Sequence, residues 1–138
     1  MNGIELDPKR VLVAESQVPS GKPVTMINLV QFNDHAQYGD TFEKPCSGME
    51  AYLQRYAPIF NEVAALEQIE GIEIVYLGNV ASTILGTIDP IWDAVALVRY
   101  PTFKAFRKII ESPLYRERAE KHRKAALKAW EFIATYQP

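Results

Sequence analysis

Two segments with a helical repeat sit between four strand-like runs, in the order β, α, β, β, α, β, and this order constrains the chain more than any single residue does. It predicts an antiparallel sheet with helices packed on one face. The first strand-like run, Pro23 to Phe32 (PVTMINLVQF), is rich in residues that suit a pleated surface and apolar on both sides, as a central strand is. From Gly48 to Glu70, Tyr52, Tyr56, Ile59, Val63 and Leu66 recur at intervals of three and four and share one helix face. Pro58 interrupts that stripe by removing an N–H and crowding the carbonyl of Gln54, which predicts a kink, and Gly71 ends the helix.

Ile72 to Leu85 and Ile91 to Tyr100 predict two strands joined at Asp89-Pro90 as an antiparallel hairpin. In the first of these, Ile72, Ile74 and Tyr76 face one way and Glu73, Val75 and Leu77 the other. Thr102 caps a helix carrying Phe103, Phe106, Ile109 and Ile110, and Ser112-Pro113 starts another. Glu117 with Lys121 and Glu120 with Lys124 are spaced for i,i+4 pairing on that last helix, which carries Leu114, Ala119, Ala126 and Leu127 as its apolar positions. Trp130 to Tyr136 closes the pattern as a strand. Ahead of it all, Asp7-Pro8 opens a helix running to about Ser16.

At 138 residues the chain is expected to form one domain over 1–138, with that short N-terminal helix and a polar surface loop at about 34–48 (DHAQYGDTFEKPCSG) as additions. Met26, Val75, Leu77, Ala94, Ala96 and Val98 leave apolar side chains on both sheet faces. Large exposed apolar areas mark interfaces, so a homodimer with sheets packed face to face is the expectation.

Composition narrows the function classes. A formal charge of −2 supplies no field for a polyanion, and the basic residues between Arg116 and Lys128 are interleaved with Glu117 and Glu120 as on a solvated helix face. One cysteine, Cys46, excludes an intrachain disulfide framework, and His35 and His122 are too few for an all-protein transition-metal site. GxGxxG, GxxxxGK[ST] and GxSxG segments are missing from the sequence. The N-terminal stretch does not read as a signal peptide, Gly3 is not placed for myristoylation, and no window approaches the ~18 apolar residues of a membrane span. A soluble cytoplasmic protein is expected, with no nucleic-acid or membrane partner.

Four segments taken together carry a family resemblance: Pro23 to Leu29 (PVTMINL), Trp92 to Pro101 (WDAVALVRYP), Ser112 to Tyr115 (SPLY) and His122 to Leu127 (HRKAAL). They resemble a widespread bacterial family of small uncharacterised proteins in the dimeric α+β barrel superfamily. That superfamily also holds the antibiotic-biosynthesis monooxygenases, chlorite dismutases, muconolactone isomerases, YciI-like proteins and stress-responsive barrel proteins. The resemblance runs from roughly Leu6 to Tyr136. It implies an α+β, ferredoxin-like βαββαβ monomer whose antiparallel sheet packs on a partner's to form a dimeric α/β barrel. It also implies a cleft between sheet and helices, which in members of the superfamily holds small organic substrates or haem. No credible proximal haem ligand is present here, so no cofactor is expected.

The candidate site residues are few. Arg123 lies in the HRKAAL segment, and arginine grips a carboxylate with two parallel hydrogen bonds; the alternative is an internal pair with Asp93 or a helix acid. His122 can serve as a base near neutral pH, although adjacent helical residues point about 100° apart and a solvent-facing ring is the plainer reading. His35 is a proton shuttle on a closing loop or a surface residue, and Cys46 is a nucleophile only if the fold lowers its pKa. Asn28 is polar in an apolar strand, fit either to orient a substrate carbonyl or to tie the strand to a neighbour. Asp93 is an acid–base group if buried, or the partner of Arg99 or Arg123. Tyr56, Trp92 and Tyr115, among other aromatics, suit a planar ligand or a core.

The resulting expectation is a small-molecule-binding protein, in enzymatic form a cofactor-independent isomerase or monooxygenase acting on a small carboxylate or aromatic metabolite. In that form Arg123, Asn28, Tyr56, Trp92 and Tyr115 bind the substrate and His122 and Asp93 move protons. The alternative is a non-enzymatic metabolite-binding or structural dimer.

Overall fold

The computed structural model describes residues 4–39, 42–87, 89 and 91–138. Asp40 and Thr41 of the surface loop, Pro90 of the expected turn and Gly3 lie outside the described residues. The chain divides into two compact units. One comprises residues up to Gln31 with Gly71–Phe106 and Ala129–Pro138, the other Phe32–Glu70 with Arg107–Lys128.

The first unit holds the sheet. Its strands are β1 (Val24–Phe32), β2 (Glu73–Asn79), β3 (Ala94–Tyr100) and β4 (Leu127–Thr135), in the order β2-β3-β1-β4, with antiparallel β1–β3 and β2–β3 pairs. This is the ferredoxin-like order. The sheet is open: β2 and β4 are its two edges and do not meet. The expected dimeric α/β barrel is therefore corrected to an open four-stranded antiparallel α+β sheet, whose edge strands β2 and β4 are not hydrogen-bonded to each other.

Register decides what each face carries. Val24, Met26, Asn28 and Val30 stand opposite Tyr100, Val98, Ala96 and Ala94, and all but Val98 are buried. Met26, Ala94 and Ala96, among the apolar residues expected across the two faces, thus belong to the core. The other face carries Ile27, Leu29, Val95 and Leu97, each half-buried. Between Ile74 and Tyr76 the β2–β3 register slips by one residue, placing Ile74 opposite Val98 and Tyr76 opposite Leu97. A bulge of this kind sends two side chains that simple alternation puts together to opposite faces.

β2 stops at Asn79 and β3 begins at Ala94, so residues 80–93 replace the expected short turn. Two backbone bonds hold the end of this connection: Val80 N–H to Asp93 O at 2.9 Å, and Asp93 N–H to Val30 O at 2.8 Å. Helix α1 (Pro8–Gln17) starts where the Asp7 carboxylate accepts from the Lys9 N–H, with Pro8 needing no donor. The Thr102 hydroxyl accepts from the Ala105 N–H at the start of α4 (Phe103–Ile110).

In the second unit, α2 (Gly48–Glu50) opens with a Ser47/Glu50 capping box and runs through a π-helical stretch, Ala51–Tyr56, into α3 (Ala57–Leu66). The kink expected at Pro58 takes this form: the Ala57 N–H reaches back five residues to the Tyr52 carbonyl, and the widened turn precedes the proline that lacks a donor. α3 ends at Leu66 rather than at Gly71, because Gln68 takes the left-handed conformation at φ 58°. Ser112 accepts from the Leu114 N–H, and a second π-helical stretch, Tyr115–Ala119, leads into α5 (Glu120–Ala126). Leu127, expected on that helix, is already the first residue of β4. Lys124 pairs with Glu120 at 3.1 Å, whereas Lys121 pairs with Glu43 of the surface loop at 2.9 Å instead of with Glu117. Among the described residues, no helix is long and apolar enough to cross a membrane.

Candidate functional site

Three of the candidate residues meet in the helical unit. Arg123 is 1 % exposed, and its Nη1 donates to the Tyr115 hydroxyl at 2.5 Å. The Tyr115 and Tyr56 hydroxyls are 3.0 Å apart, and Tyr52 stacks on Tyr56 with centroids at 5.2 Å. Burial pushes the Tyr52 phenol up to about 12 and Tyr56 well above its ordinary value, so both hydroxyls are protonated over the physiological range. Burial alone would lower the Arg123 pKa, but the Tyr115 and Tyr56 oxygens outweigh it and the net direction is upward. The assembly is a guanidinium held among phenols.

His122, one residue earlier, is also buried rather than solvent-facing, because α5 carries His122, Arg123, Ala125 and Ala126 all in its buried set. Its Nδ1 lies 2.7 Å from the Tyr38 hydroxyl, with the two rings edge-on. Arg55 lies over the Tyr38 ring, donates to the Lys44 carbonyl and approaches Glu43 at 3.8 Å. The surface loop is thereby fastened to this unit by Tyr38, Glu43 and Lys44. Burial lowers the His122 pKa, and the Glu43 carboxylate partly offsets it. His35 is exposed in the same loop, and Cys46, half-buried, accepts from the Ala36 N–H through its carbonyl.

Asn28, Trp92 and Asp93 belong to the sheet unit. Asn28 donates from Nδ2 to the Ala96 carbonyl at 3.2 Å and accepts the Trp130 indole N–H on Oδ1 at 3.0 Å. Trp92 is half-buried just ahead of β3, and Asp93 is exposed there. Arg99 lies 3.6 Å from Glu73.

The sheet unit also contains a cleft of about 680 Å³ that sequence reasoning missed. One wall is the face of α1 bearing Arg10, Val11, Ala14 and Gln17, with Val18 just after it; the other is the edge strand β4 from Trp130 to Ala134. Met26, Phe103 and Phe106, the residues Glu5 to Asp7 ahead of α1, and Tyr136 after β4 complete it. Trp130 stacks on Phe132 at 4.6 Å and 29°, and Phe132 meets Phe106 at 5.6 Å, so the lining is a connected aromatic surface. The Asn28 bond fixes the indole. No local spacing links α1 to residues well over a hundred positions later, and the lone polar Asn28 was the one available signal.

Fold and cleft together define a ferredoxin-like α+β protein with an aromatic-lined cleft beside an edge strand. No protein-family model matches the chain, and neither does any curated protein. Solved structures do. The methylated RPA0582 protein is 29 % identical with a TM-score of 0.82, covering 100 % of this chain and 97 % of that one. The RPA0582 protein of unknown function from Rhodopseudomonas palustris is 27 % identical with a TM-score of 0.80, covering 100 % and 98 %. At3g17210 from Arabidopsis thaliana, at 20 % identity and a TM-score of 0.53 over 83 % of this chain and 94 % of that one, shares the fold alone.

Proposed function

We propose that this protein binds a compact, largely apolar or aromatic organic molecule in the cleft between α1 and β4. The observation that carries this reading is the cleft itself. Its volume of about 680 Å³ falls within the ~300–1,000 Å³ typical of small-molecule sites, and its lining is mostly apolar, with the rings of Phe103, Phe106, Trp130 and Phe132 among aliphatic side chains and a minority of charged groups. The test is a fragment titration followed by protein NMR. Aromatic ligands are expected to shift the Trp130 indole N–H together with the Val11 and Ala14 amides; a panel that moves none of them refutes the reading. In its enzymatic form, cofactor-independent isomerisation or oxygenation of the bound molecule, incubation with a binding fragment changes the fragment's mass or retention time. In its non-enzymatic form the fragment is recovered intact.

The homodimer is a separate proposal. On β2 Tyr76 is 55 % exposed and stands opposite Leu97, so it extends the half-buried apolar face of Ile27, Leu29, Val95 and Leu97 to the sheet edge. Contiguous apolar sheet faces mark interfaces, and a second copy of the same face is the self-complementary cover. Native mass spectrometry at micromolar concentration is expected to give twice the chain mass, and a stable monomer overturns the proposal.

A further inference from the structure

The charge around the cleft suits one class of ligand better than another. Glu5, Asp7 and Glu131 line it against a single guanidinium, that of Arg10. Asp7 is fixed in place by its capping bond to the Lys9 N–H. The Trp130 N–H is committed to Asn28, so what the indole offers a ligand is its ring and not its donor. Phe132 offers only its ring, while Phe103 and Phe106 line the cleft from the buried core. Ring faces carry negative electrostatic potential and attract cations, most strongly in tryptophan. A carboxylate entering this cleft meets three like charges and one opposite charge; an ammonium meets the reverse.

We infer that the cleft selects a small monocation with an aromatic or aliphatic body, such as an arylalkylamine, over the acid of the same skeleton. The inference rests on the cleft being a ligand site, and the test separates the two claims. Phenethylamine, its neutral analogue phenethyl alcohol and the acid 3-phenylpropionate are titrated into the full chain at low salt, with the Trp130 indole N–H as the NMR probe. The amine is expected to bind most tightly and the acid least, with on the order of tenfold between them. The gap narrows as added salt screens the carboxylates. Glu131→Gln, at an exposed position, is expected to shrink the amine-to-acid ratio about two- to threefold. An alcohol that binds as well as the amine, or an acid that binds better, overturns the charge selection and leaves the cleft reading standing. If none of the three moves the Trp130 resonance, both fall.

Discussion

Tyr115→Phe isolates the hydroxyl on which the buried arginine depends. The substitution keeps the ring that packs edge-on to Phe60 and Tyr56 and lies 5.9 Å from the Arg123 guanidinium carbon. It removes one oxygen, which accepts from Arg123 Nη1 and shares a hydrogen bond with the Tyr56 hydroxyl. A hydrogen bond to a charged group is worth ~1.5–3 kcal/mol and a neutral one about 1 kcal/mol. Some of that sum returns because the phenylalanine has no hydroxyl to desolvate, leaving a net loss of about 2–3 kcal/mol. For a chain of this length an unfolding entropy near 2.1 cal/mol/K per residue makes each kcal/mol worth ~3–4 °C, so Tm is expected to fall by roughly 6–12 °C. Tyr56→Phe removes only the neutral bond and is expected to cost about 1 kcal/mol. Urea denaturation of both variants beside the parent, with matching m-values, measures the order. The reasoning is refuted if Tyr115→Phe stays within about 0.5 kcal/mol of the parent, or if Tyr56→Phe costs more.

Stability is expected to depend on pH through His122, whose pKa burial lowers below 6.5 while Glu43 raises it and Lys121 and Arg55 lower it. The unfolded chain then binds more protons than the folded one, so the contribution is complete above about pH 6.5 and is lost as pH falls from there through the folded value. Glu43, held low by Lys121, adds a second loss below about pH 4.5. Urea midpoints measured from pH 8 to 5 should decline, and His122→Gln should flatten that decline. Gly48→Ala would put a Cβ 2.2 Å from the Asn33 carbonyl oxygen and 2.6 Å from that of Ala126, both backbone atoms. A loss of about 3 kcal/mol or more is expected in thermal or urea unfolding, and a near-parental midpoint contradicts the packing. Asn28→Ala removes the acceptor that holds the Trp130 indole N–H and is expected to cost about 1–3 kcal/mol. Hydrogen exchange at the indole should accelerate with it; an unchanged exchange rate would show that Asn28 does not hold the ring.

The sequence was most informative where the chemistry is local. Asp7-Pro8, Thr102 and Ser112 each cap a helix through an oxygen two or three residues from its partner, and the same logic applied to Ser47 and Glu50 would have set the start of α2. Periodicity located the strands but not their ends. β2 loses its partner after Asn79 although Ile84 and Leu85 continue the β-prone composition, since pairing and not propensity decides where a strand stops. Alternation also fails at the bulge beside Val75, which nothing in the composition of Ile72–Leu77 announces. The barrel expectation came from the family resemblance and is overturned by the sheet's two open edges, whereas burial is a matter of register. Residues such as Met26 and Ala96 are apolar because they fill this chain's own core, and side-chain type does not say which face the core occupies.

The site shows why spacing can mislead even within a single helix. Tyr115 and Arg123 are eight residues apart, about 80° around a regular α-helix at 100° per residue, so their side chains should diverge. The Glu120 N–H, however, reaches back five residues to the Tyr115 carbonyl, placing one extra residue in that turn. Counted as seven α-helical steps, the separation falls to about 20° and the phenol comes under the guanidinium. That extra residue also changes the phase between Glu117 and the residues after it, and Lys121 pairs with Glu43. A π turn is therefore what assembles the Arg123–Tyr115 contact. Deleting one residue from Arg116–Ala119 to restore a regular α-helix leaves seven true α-helical steps, about 20°, between Tyr115 and Arg123, so the contact should survive, whereas Tyr115→Phe removes it; a deletion variant that loses as much stability as Tyr115→Phe or more refutes the count.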